Sequence, residues 1–443
     1  MSVSFLALLA LIAVVNAATD PCGGTLRQRK SFYRLTDVEK AAYATGVKAL
    51  KVSGKWDYFN AKHRSGMKWH STTQFLPMHR ALLLEFETEL LKVAPGLTGL
   101  PFWNEYQDSP NPLASSIFDT TGLAPMVAGP LGEPFKGLKD DKGQLVARSP
   151  DLGASGSFQW VPRSEVMATA LGDIKTFGEL SHAIEVTPHN AYHSMVGGQM
   201  GAASSSPADP LFFLHHAYID ALWAAWQSSK PEHFADLTVP GQGPGDLQVK
   251  ASEGTAMYEK QYTNRDMVYY RQRLCYEYKM PPSLRPVQRA QKALDDGAIA
   301  AAAGAVGGAI AGINSTTFAP ITAIPIANLK QLMPMFDDAQ LTKLVADNVA
   351  LFTAAAVKLN AYIAANVNAT NPPDVVLARL LGVSDYMDSS FESAKSIKDD
   401  FKDSSIPAVQ TASPAGSATT PSSARALAAG PLVIVLALVA ALM

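Results

Sequence analysis

The strongest constraint on what this chain can fold into is one stretch, His189 to Trp226, which holds four of its nine histidines. It reads HNAYHSMVGGQMGAASSSPADPLFFLHHAYIDALWAAW. His189 and His193 are four residues apart, a spacing that stacks two side chains on one face of a helix. After a Gly, Ser and Pro loop, His215 and His216 head the apolar pattern AYIDALWAAWQ. Facing helices that carry imidazoles inward are how helical bundles build metal sites in their cores. A lone histidine is usually an ordinary core or surface imidazole. A paired set plus a double histidine on a second apolar helix predicts a metal centre.

Taken in order, the chain supplies a second cluster. LTDVEKAAYATGVKALK, within residues 24–60, has a Thr/Asp start and helical apolar spacing. It is followed by WDYFNAKHRSGMKWHSTTQFLPMHRALLLEFETELLK, with His63, His70 and His79. The pattern after Pro77 predicts an amphipathic helix with His79 at its opening. Residues 101–180 are rich in Pro and Gly, and PFWNEYQDSPNPLASSIFD and GPLGEPFKGLKDDKG read as long loops. His182 reads as a structural or surface imidazole, and His233, in a polar loop, as solvent-exposed. Beyond Pro281 the composition shifts: residues 286–313 are Ala/Gly-rich, and 327–402 carry helical patterns without any histidine. The expected fold is mainly α, a helical core (24–280) with the metal site between two histidine-bearing helix pairs. Long loops surround it, and an Ala-rich linker and helical extension (281–402) follow.

Composition and the two ends bear on the setting. At 443 residues and 47% apolar content the chain can bury a sizeable core. A formal net charge of −2 and the lack of a basic run make nucleic acid a poor partner. Residues 1–18 read as a signal peptide ending in small residues at Ala17 and Ala18, too short an apolar run to span a membrane. Residues 403–425 form a Ser/Thr/Pro-rich stalk. Residues 426–443 fit a GPI-anchor signal, with Ser413, Gly416 and Ser417 as candidate attachment points, or alternatively a tail-anchored helix. Asn314 and Asn368 lie in glycosylation sequons. In an oxidising compartment the only two cysteines, Cys22 and Cys275, could form one disulfide. These features predict the secretory pathway, an extracellular or cell-surface location, and a membrane link through a lipid anchor or helix.

Two sets of three histidines without metal-spaced cysteines suit copper or zinc, and less often iron or nickel. A dinuclear zinc hydrolase would normally add a bridging carboxylate, and neither cluster has one in an obvious ligand position. Facing three-histidine sites suit a copper pair able to bind dioxygen. At these residues the chain resembles the tyrosinase family, the coupled dinuclear copper proteins that include catechol oxidases and molluscan haemocyanins. HNAYH…VGGQM…SPADPLFFLHHAYIDALW resembles the second half of its signature. FLPMHRALLLEFE resembles the first, with Met78 where Trp is usual. The likeness covers about residues 27–280.

The resemblance implies two copper ions, one held by His63, His70 and His79 and the other by His189, His193 and His216. His215 would stand behind the ligands, and Phe212 would pack beside the pair. Glu185 and Asn190 resemble the residues that hold a water proposed to take the phenol's proton. The implied reaction is oxidation of o-diphenols to o-quinones by dioxygen, with hydroxylation of monophenols and melanin formation as extensions. The alternative is a haemocyanin-like oxygen carrier without turnover. Tyr276 and Tyr278 resemble the motif that closes the family core against an arginine, here Arg29. Ala203, small and placed over the coppers, would leave the entrance open, unless the C-terminal helices cover it as in latent family members. No cysteine lies near His70, so a thioether crosslink to a ligand is excluded.

Overall fold

The computed structural model describes residues 22–108, 111–153, 156, 158–162, 164–237, 263–279 and 318–367. The signal peptide, the Ala-rich stretch 286–313, both sequons, the stalk and the C-terminal apolar run lie outside the described residues. What is described is mainly helical, and its order follows from local sequence. Strand β1 (Arg27–Lys30) leads into helix α1 (Asp37–Val52), started by a capping box in which Thr36 and Glu39 satisfy each other's backbone amides. Helix α2 (Lys55–Ser65) follows after Gly54, whose φ of 77° suits a residue without Cβ. Helix α3 (Phe75–Val93) begins earlier than the apolar pattern predicts. Pro77 sits inside its first turn, where a missing amide leaves no bond unmade, so His79 lies in the second turn rather than at the opening.

Between α3 and the second histidine stretch the chain is irregular, as expected, apart from short elements. Strands β2 (Gly129–Pro130) and β3 (Ala147–Arg148) pair antiparallel. Helices α4 (Ser164–Asp173) and α5 (Phe177–Ile184) come next. Thr187 precedes Pro188, and its backbone is extended (φ −151°, ψ 121°), because a residue before proline is disfavoured in the helical region. The break separates α5 from α6 (Asn190–Val196) and re-aims the chain at His189. Helix α7 (Leu211–Gln227) is apolar all round and buried along all but Ala225, the signature of a central helix. Strand β4 (Tyr276–Lys279) then runs parallel to β1, Arg27 opposite Tyr276 through Lys30 opposite Lys279. The Cys22–Cys275 disulfide lies beside this pairing.

A buried ionic network locks these pieces together. Arg29 donates to Glu87 on α3 (2.9 and 3.1 Å) and to Asp220 on α7 (3.1 Å). Arg80 on α3 also bonds Asp220, and its guanidinium lies 3.5 Å over the Trp223 ring. Tyr276 and Tyr278 donate to the same Asp220 carboxylate at 2.8 and 2.6 Å. Two arginines and two carboxylates balance, which is the condition for keeping such charges out of water.

Further along the chain, helix α8 (Ile326–Leu332) packs on α6, and the capped helix α9 (Asp338–Asn366) packs on α4. Helix α9 is long and apolar enough to cross a membrane by length and composition. Here it is applied to α4 instead, with Lys358 paired to Asp173 at 2.5 Å and buried Asn348 bonded to the Ala183 carbonyl.

Candidate metal centre

Six histidines from five segments converge at the heart of the helices, each at most 3% exposed. His63 comes from the last turn of α2, His70 from extended backbone after a short turn at Met67–Trp69, and His79 from α3. Their ring centroids lie 4.9–5.3 Å apart. His189 enters just before α6, His193 lies on α6 and His216 on α7, with centroids 4.5–5.5 Å apart. The two groups touch: the His79 and His216 rings stack at 4.1 Å and 9°.

The donor set fits metal. Nε2 of His63 is 3.2 Å from Nε2 of His79, and Nε2 of His193 is 3.3 Å from Nε2 of His216. His189 Nε2 is buried with no partner among the described residues, while its Nδ1 donates to Asn190 Oδ1 at 3.0 Å. Burial, the largest cause, and the neighbouring imidazoles push the histidines below their ordinary range, His70 and His193 to about 4. Neutral imidazoles with converging lone pairs form a ligand set, and borderline nitrogen donors of this kind accommodate copper.

Around the metals the chain is mostly apolar. Phe212 lies 4.1 Å from the His216 ring and 5.0 Å from His63. Phe75 lies 4.7 Å from both His79 and His189. Glu185 is buried and accepts the Ser71 amide at 2.6 Å, next to His70. Burial raises its carboxyl to about 8, against a smaller lowering by that hydrogen bond. Asn190, besides holding His189, donates to the Met333 sulfur at 3.1 Å.

Other expected residues fall as follows. His215 is buried with Nδ1 on Glu105, and its ring nitrogens reach within 4.8 Å of those of His189, His193 and His216. Arg29 meets Tyr278 at 2.8 Å and lies 3.6 Å over the Tyr276 ring. Ala203 does not face an open entrance: it is 4% exposed, with its amide on the Gln331 carbonyl at 3.5 Å. Met335 meets Ser71 at 3.7 Å, so Gln331, Met333 and Met335 each touch a residue beside the histidine groups. The expectation that His233 is solvent-exposed is corrected, since it is 2% exposed, stacked on Trp226 at 4.1 Å and bonded to Ser229 at 2.8 Å. The polar letters around it masked an aromatic seat. His182 is exposed. Sequence reasoning missed Glu105, Phe75 and Met333. Phe75 stands inside the quoted FLPMHR block. Glu105 and Met333 had no local signal stronger than an acid among aromatics and a methionine after a helix.

Such a site defines a coupled dinuclear copper protein, and the comparisons agree. The pattern described as the common central domain of tyrosinase matches residues 53–229. A tyrosinase from Streptomyces antibioticus is 31% identical over 243 residues, 48% of this chain and 87% of that protein. One from Streptomyces glaucescens is 31% identical over 230 residues, 46% and 83% of the two chains. The chain belongs to the tyrosinase family, whose members bind two copper ions. A polyphenol oxidase structure from Thermothelomyces thermophila aligns with TM-score 0.48 and 20% identity over 61% of this chain and 94% of that one.

Proposed function

We propose that this chain is a phenol oxidase that uses dioxygen to convert o-diphenols to o-quinones and also hydroxylates monophenols. In the diphenol reaction two catechols each give up two electrons and two protons, and one dioxygen takes all four of each to become two waters. The bound copper pair supplies the activation of dioxygen. His63, His70 and His79 hold one ion, and His189, His193 and His216 hold the other. Phe75 and Phe212 keep water from the rings, and Asn190 fixes the tautomer of His189. Glu185, once deprotonated, accepts the phenolic proton, directly or through one water. Glu185 carries the reading: it is buried, accepts the Ser71 amide next to His70 and leads directly into His189, a proton acceptor placed beside the histidine groups. The test is oxygen uptake by the copper-loaded full chain with catechol and with tyrosine. No uptake with either sinks the oxidase reading, and uptake with catechol alone removes its monophenol part.

One observation favours a second reading, a carrier with a covered site: Gln331, Met333 and Met335 touch Ala203, Asn190 and Ser71 beside the histidine groups. We read this segment as the cover of a latent oxidase. Leu329, fully buried on α8, holds it down. Leu329→Glu places a charge there and should lift the cover, raising kcat/KM for catechol about tenfold or more. Reversible dioxygen binding without turnover in both forms would favour the carrier.

We also propose a secreted, surface-held protein. The Cys22–Cys275 bond supports an oxidising compartment. Release from cells by a phosphatidylinositol-specific phospholipase tests the lipid anchor, and resistance favours a tail helix.

A further inference from the structure

The loop after α3 brings into the metal centre a carboxylate that the histidine pattern does not announce. Glu105 is fully buried, and its Oε1 is hydrogen-bonded to Nδ1 of His215. The loop is tied to its neighbours at two points and braced once within itself. The Trp103 amide donates to the Leu214 carbonyl at 3.1 Å, the Trp103 indole to Asp108 at 2.6 Å, and the Tyr192 hydroxyl to the Glu105 carbonyl at 2.7 Å. Leu214 and Tyr192 belong to α7 and α6, the helices that carry His216 and His193. The carboxylate is therefore built into the same framework as the second histidine group.

His215 passes this anchoring on. Its ring stacks on His189 at 5.3 Å and 25°, and meets His193 edge-on at 4.7 Å and 85°. A histidine ring turns easily about its terminal torsion unless a nitrogen is held. With Nδ1 on Glu105 the His215 plane is set, and neither neighbour can tilt without displacing it. Among the described residues no carboxylate is hydrogen-bonded to His63, His70 or His79, so the first group has no such brace.

We propose that Glu105 is the positioning residue of the second copper site, acting through His215 to hold the rings of His189 and His193 in their metal-binding orientation. This rests on the ligand assignment proposed above. The role makes a selective demand. A residue that merely supports the fold weakens both copper positions together, whereas a brace on His215 weakens one.

The test is copper(II) titration of the full-length apo chain against a competing chelator, for the native protein, Glu105→Gln and Glu105→Leu. Far-UV circular dichroism and melting of the apo forms follow the fold. Glu105→Gln replaces the carboxyl by an amide, only one of whose two ends can accept from Nδ1 of His215, and should weaken one of the two copper equivalents about tenfold. Glu105→Leu should weaken the same one about 10–100-fold, with the other unchanged. The affected equivalent should be the one that survives His79→Asn. Unchanged affinity of both equivalents in Glu105→Gln overturns the proposal, whether or not Glu105→Leu folds, and so does equal weakening of both. A native chain that fails to take two equivalents overturns the ligand assignment instead.

Discussion

The two histidine groups do the same job with different supports. The first has one ring support from main chain: His79 donates Nδ1 to the Phe75 carbonyl one turn back at 2.8 Å, while Nδ1 of His63 and of His70 are buried with no hydrogen-bond partner among the described residues. The second adds side chains, with Asn190 on His189 and Glu105 behind it through His215, and one carbonyl, Met200, on His193 at 2.7 Å. That main-chain support comes with the first turns of α3, and the other two rings of the first group depend on how the backbone between α2 and α3 places them. Side-chain supports are independent of any one turn. The first group should therefore be the more sensitive to local backbone change, and the second to single distant substitutions.

Removing a ligand from either side gives the largest effect. His79→Asn and His216→Asn should each bind one copper per chain, and each should lose catechol oxidation by at least about three orders of magnitude, since the metals act as a pair. The comparison is sharpened by what remains. The surviving second site in His79→Asn should hold copper more tightly than the surviving first site in His216→Asn. Chelator competition measures this, and the reverse order would break the contrast drawn above.

Next in size is the link between the groups. Arg80 follows His79, and Asp220 lies one turn beyond His216, so their bond ties the register of α3 to that of α7. Arg80→Ala leaves Asp220 with Arg29 and two tyrosines, but removes a buried charge, a bond to the Met267 carbonyl and the stack on Trp223. A loss of about 3–5 kcal/mol is expected, read as a lower chemical-denaturation midpoint with unchanged slope. A loss under about 1 kcal/mol would mean that Arg29 alone carries the network.

The difference in support also explains what the sequence made legible. His189, His193 and His216 sit on helical spacing, a local property that survives in the letters. His79 is marked by its block. The path from His63 to His70 crosses a helix end, a short turn and extended backbone, and no period spans those states. Glu105 and His215 are 110 residues apart, and only the packing of an aperiodic loop onto α6 and α7 joins them. The irregular character expected of residues 101–180 holds apart from α4 and the start of α5, but which of its side chains turns inward was not readable. His233 failed for the same reason, because burial by stacking on Trp226 is a tertiary fact.

The smallest expected effect tests whether the two regions are coupled at all. Glu185 belongs to both: its carboxylate takes the amide next to His70, and its backbone leads into His189. Its pKa rises from an ordinary 4.5 to about 8 because burial penalises the anion. The folded chain thus binds this proton more tightly than the unfolded chain. The stability it contributes is fully present below about pH 4.5 and is lost as pH rises through about 8. Apo melting temperature should fall across that window more steeply in the native chain than in Glu185→Gln, which has nothing there to titrate. Copper loading should narrow the gap, since nearby positive charge favours the carboxylate from either metal position. If one copper, in His79→Asn or His216→Asn, narrows it as much as two, Glu185 answers to one region only. Parallel melting curves for native and Glu185→Gln apo chains would show that burial does not hold the carboxyl neutral, and would remove it as the base matched to neutral pH.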